Sequence, residues 1–102
     1  MATLTIVPAS GAITAKSTVC RITVAGAADN RAPDDTGGAF KYYLLIDAPA
    51  GVDDGKSYVF NASADGGHVF NNYVFPATGS YTVRLRDAAN DQDVATLSVT
   101  VS

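Results

Sequence analysis

The segment Phe75-Pro76-Ala77-Thr78-Gly79-Ser80-Tyr81-Thr82-Val83-Arg84-Leu85-Arg86-Asp87 decides how the rest of the chain is read. From Tyr81 onward the residues alternate. Tyr81, Val83 and Leu85 fall on one face; Thr82, Arg84 and Arg86 fall on the other. A period of two belongs to a half-buried antiparallel strand. A helix would scatter the two arginines among the apolar residues. Gly79 turns the chain from Phe75 into this strand and delivers Tyr81 to its head.

The neighbouring segments follow the same logic. Ala88–Asp93 is a polar hairpin loop, and Val94–Val101 is the last strand, with Ala95, Leu97, Val99 and Val101 inward. That strand is uncharged from Val94 to Ser102, and such an edge invites pairing unless a neighbour covers it. Upstream, strands are expected at Thr3–Val7, Ser17–Ala25, Phe40–Asp47, Tyr58–Ala62 and His68–Phe75. In the third, Lys41, Tyr43, Leu45 and Asp47 face outward, and Tyr43 with Leu45 is unusual company for a solvated face. Ala64-Asp65-Gly66-Gly67 reads as a hairpin-type turn. In the fifth strand Val69, Tyr73 and Phe75 are expected on one face, Phe70 and Val74 on the other. Gly26–Gly38 is a polar loop of a length that usually carries function or mobility.

Composition agrees. The chain has 102 residues, enough for one domain with one core between two sheets. All ten acidic residues are Asp, which favours turns over helix interiors. Net charge is −3 with seven dispersed Lys and Arg, so no basic stripe for nucleic acid is present. No apolar run reaches the length of a membrane span. The start, Met1-Ala2-Thr3-Leu4-Thr5-Ile6-Val7, lacks the basic and apolar regions of a signal peptide and reads as a strand.

Phe75-x-x-x-Gly79-x-Tyr81-x-Val83 resembles the closing hairpin of PKD-like and related immunoglobulin-like domains. The resemblance is clearest over residues 70–102. It implies an all-β, immunoglobulin-like Greek-key β-sandwich of about seven strands, a single domain over residues 1–102. Another Greek-key sandwich or a small barrel is the alternative. The resemblance implies that the Tyr81 hydroxyl bonds back to nearby backbone as a tyrosine corner. It puts the lone cysteine, Cys20, where related domains place the first disulfide cysteine, and Val83 where the partner would stand. With one cysteine no intramolecular disulfide forms, and Cys20 is expected as an inert core residue. The core tryptophan of such domains is missing, with Tyr42 the candidate to fill its place. The Trp-Asp-Phe-Gly-Asp-Gly type signature of true PKD domains is absent too.

No catalytic constellation is legible. His68 is the single histidine and follows Gly66-Gly67 at a strand start, the place of an ordinary edge residue. There is no Walker loop, no Gly-x-Ser-x-Gly and no Cys/His zinc cluster. The expectation is a non-enzyme without a cofactor. If the loops meet at one end, Asp29, Asp34, Asp35 and Asp65 gather there with Asp87, Asp91 and Asp93. Asp87, Asp91 and Asp93 are weak candidates for calcium, because their spacing fits no EF-hand and Asp is the normal residue of turns.

The stronger candidate is a sheet face carrying Lys41, Tyr43, Leu45, Thr82, Arg84 and Arg86. Aromatics and arginine beside an aliphatic residue are favoured at interface centres. Small acidic immunoglobulin-like domains resemble accessory proteins of tailed bacteriophages. The resemblance implies a virion structural protein made in the host cytoplasm, most simply a capsid decoration protein. It would dock on a major capsid or tail protein, with homo-oligomers possible and no nucleic-acid or membrane partner. The alternative is a carbohydrate-binding or adhesin-type module, in which outward Tyr43 and Tyr73 stack on sugar rings and the aspartates hold calcium.

Overall fold

The computed structural model describes residues 2–27, 30, 40–52 and 56–102. Its strands are β1 (Thr3–Val7), β2 (Cys20–Ala25), β3 (Tyr42–Asp47), β4 (Lys56–Tyr58), β5 (His68–Tyr73), β6 (Gly79–Asp87) and β7 (Gln92–Val101). They form two antiparallel sheets, ordered β1-β2-β5 and β4-β3-β6-β7. This is the seven-strand all-β sandwich that the alternation requires.

The core forms where the inward faces meet. Leu4, Ile22 and Val24 come from one sheet; Leu44, Ile46, Val83 and Leu85 come from the other. Pairing puts Leu44 opposite Leu85 and Ile46 opposite Val83. Phe75 and Tyr81 are buried together, rings 4.7 Å apart. The Tyr81 hydroxyl donates to the Ala77 carbonyl at 2.6 Å and accepts the Ala77 N–H at 3.2 Å, so the tyrosine corner is formed. Cys20 and Val83 are both buried in this core, and burial pushes the Cys20 thiol pKa up. Tyr42 packs on the same core from a half-buried position.

Four expectations need correction. The fourth strand is Lys56–Tyr58, not Tyr58–Ala62. The backbone of the expected stretch is taken elsewhere: Asn30 Nδ2 donates to the Phe60 carbonyl at 3.0 Å, and the Ala62 N–H donates to the Asn30 carbonyl at 3.2 Å. The turn at Ala64–Gly67 joins no hairpin, because β4 and β5 belong to different sheets. Residues 17–19 lie outside β2, since Ser17 and Thr18 both donate their N–H to the Thr14 carbonyl in a turn. In β5, Phe70 and Tyr73 both pack on the core with Phe75, while Val69 and Val74 are exposed. A bulge causes this: Ile22 pairs with Phe70 but Cys20 pairs with Tyr73, and Asn72 takes a positive φ of 61°. One extra residue moves every later side chain to the other face.

A second bulge has larger consequences. Arg86 pairs with Asp93 and Leu85 with Ala95, so Val94 is the extra residue. Strict alternation from Ala95 would turn Asp93 inward. The bulge returns it to the outer face beside the arginines.

Candidate docking face

The outer face of the four-stranded sheet is built by β3, β6 and β7. Tyr43 stands opposite Arg86, Leu45 opposite Arg84, and Arg84 opposite Thr96. Tyr43, Leu45, Thr82, Arg84 and Arg86 are all half-buried there. Lys41 precedes β3 and its ammonium lies 5.4 Å from the centroid of the Tyr42 ring.

Charges on the face tie one another down. Arg84 donates through Nη1 to Asp93 Oδ2 at 2.6 Å and through Nη2 to Asp47 Oδ2 at 3.4 Å. Arg86 Nε donates to Asp93 Oδ1 at 2.9 Å. Asp93 therefore bridges both guanidiniums with its two oxygens. The Tyr43 hydroxyl donates to Asp91 Oδ1 at 2.8 Å. Single exposed ion pairs add only about 0–1 kcal/mol to stability. Their effect here is geometric: four charged side chains hold one conformation across the sheet. Asp93 was legible in the sequence as a turn residue and weak metal candidate only, because nothing in the text marks the bulge.

The hydrogen bond from Arg86, then that from Arg84, holds the Asp93 carboxyl below the usual carboxylate range. A depressed folded pKa adds stability that is fully present above the unfolded value and lost as pH falls through the folded one. Wild type should thus exceed Asp93→Asn in stability at neutral pH, and the gap should close as pH falls through and below the usual carboxylate range. Urea unfolding of both proteins across that window checks this; a gap that persists at the acid end contradicts it.

The described aspartates do not converge on one point. Asp93 is held by arginines, Asp91 by Tyr43, and Asp87 Oδ1 accepts the Ala89 N–H at 2.8 Å. Asp65 accepts from Ser63 Oγ and from the Gly67 N–H. Among the described residues no group of three His, Cys, Asp or Glu side chains is placed to hold a metal. Asp29, Asp34 and Asp35 lie outside the described residues. His68 Nδ1 lies 3.1 Å from the Asn61 carbonyl oxygen, and its ring stacks on Phe60 and meets Phe70 edge-on. Tyr73 does not point outward. Its ring packs 4.8 Å from Phe75, and burial, then Tyr58 and Tyr81, drives its pKa up.

Among the described residues the two sheets do not close at the edge opposite β7. A groove of about 310 Å3 runs between β4 and β5, with Leu44 and Ile46 at its floor and Tyr58, Phe70 and Tyr73 on its walls. A second cavity of about 230 Å3 shares Tyr58 and Tyr73 and reaches Pro76 and Tyr81. No charged side chain lines either one among the described residues. Sequence reading missed this groove, because the β5 bulge that turns Phe70 and Tyr73 inward leaves no mark in the pattern.

No protein-family model, curated protein or solved structure matches this chain.

Proposed function

We propose that this chain is a non-enzymatic structural protein of a bacteriophage particle, a capsid decoration protein that docks on a coat protein through the outer face of its four-stranded sheet. One observation supports that face above the others: Tyr43, Arg84 and Arg86 are already fixed by Asp91, Asp47 and Asp93. Immobilising a long side chain on binding costs about 0.5–1.5 kcal/mol, and here the fold has met that cost beforehand. Docking adds buried area between coat subunits and so resists expansion or rupture of the shell, without chemistry. The virion as the setting rests on the resemblance to phage accessory domains, a fold-level analogy.

The test is binding to undecorated particles by wild type and by a Tyr43→Ala, Arg86→Ala double variant. A loss of about tenfold or more in affinity is expected from removing two central anchors. Unchanged binding by a folded variant would overturn the face. A second reading, a carbohydrate-binding module, is favoured by the uncharged tyrosine-walled groove between β4 and β5. A glycan array separates the two: specific retention of a neutral saccharide, lost in Tyr58→Ala, supports the groove over the face.

A further inference from the structure

The two ends of the β7 edge differ. At its C-terminal end the segment after β1 covers it. Thr100 donates its N–H to Ser10 Oγ at 2.8 Å and accepts the Gly11 N–H at 3.1 Å. Ser102 donates to the Ile13 carbonyl and accepts the Ala15 N–H, both at 2.9 Å. Main-chain groups alternate direction along a strand, so Thr96 and Ser98 aim theirs to the same side as Thr100. No described residue meets them there. Among the described residues this unpaired edge is short and bounded: Ser10 and Gly11 close it at Thr100, and the bulge breaks it at Val94. On its inward side Ala95 and Leu97 are only half-buried.

We propose that a second copy of this chain occupies this edge, β7 against β7, antiparallel about a two-fold axis beside Leu97. Thr96 of each copy then stands opposite Ser98 of the other, and four main-chain hydrogen bonds form. The two Leu97 side chains meet at the close, non-hydrogen-bonded pair between them and seal each other from water. Charge favours a copy of the same strand. The molecule carries −3, which opposes self-association elsewhere, but residues 94–102 are uncharged and Asp93 is neutralised by Arg84 and Arg86. The result is one eight-stranded sheet, continuous with the outer face described above, that presents two such faces side by side. This inference is independent of what that face binds.

Sedimentation velocity of the purified chain tests it. From about 10 µM to about 1 mM, the range expected for so small a contact, the mass should rise from 10.5 kDa toward twice that value. Thr96→Pro removes only an outward N–H, a place where an edge strand accepts proline, and should stay monomeric with an unchanged far-UV spectrum. Amide exchange needs no variant: the Thr96 and Ser98 amides should slow as concentration rises. A chain monomeric throughout, a folded Thr96→Pro that dimerises like wild type, or exchange at these two amides that ignores concentration would each overturn the proposal.

Discussion

Gly79→Ala should lower the melting temperature by more than about 10 °C, which for a domain of this size corresponds to about 3 kcal/mol. Two costs combine. Gly79 sits at φ +147°, a conformation that a residue with a side chain rarely adopts. A Cβ built there would stand 2.6 Å from Pro49 Cγ and 3.3 Å from Pro49 Cβ. A proline ring cannot swing aside, so the turn or the strand would have to move. That strand starts two residues before Tyr81, and its shift would pull the hydroxyl from Ala77. Gly51→Ala separates the two costs. Gly51 also has positive φ, +84°, but nothing lies within 4 Å of its would-be Cβ. It should cost only the backbone part, about 1 kcal/mol. Equal melting temperatures for the two variants would show that the Pro49 contact is not rigid.

Asn30→Ala should destabilise by about 3 kcal/mol, because it leaves one buried and one part-buried main-chain group without their partner. Asn30 is fully buried. Its Nδ2 donates to the Phe60 carbonyl at 3.0 Å, and its Oδ1 accepts the Tyr42 N–H at 2.6 Å. One side chain therefore fixes the start of β3 and the stretch after β4. Asn30→Asp makes a sharper case. The carboxylate keeps the Tyr42 bond but faces the Phe60 carbonyl oxygen in a fully buried site. Its folded pKa would be raised, so the penalty is largest at neutral pH and fades as the acid protonates and can donate to Phe60. Chemical denaturation at pH 7 and near pH 4 measures both. An Asn30→Asp protein as stable as wild type at pH 7 would contradict the buried hub.

How much of this was legible follows from local rules. Strand β6 and its corner could be read because Gly79, Tyr81 and the alternating run each obey a short-range constraint. The outward set Tyr43, Leu45, Arg84 and Arg86 followed from period two alone. Three things escaped, each for a reason outside local pattern. The bulges at Asn72 and Val94 insert single residues that composition does not announce, and they decide where Phe70, Tyr73 and Asp93 point. The early end of β4 depends on Asn30, some thirty residues away in sequence. In the text Asn30 is one more polar residue in a polar loop.

The docking claim stands most directly on one measurement: sedimentation of the purified chain with intact undecorated phage particles. The account predicts saturable co-sedimentation at a copy number set by the symmetry of the shell. A chain that stays in the supernatant at every concentration, while folded, would contradict it.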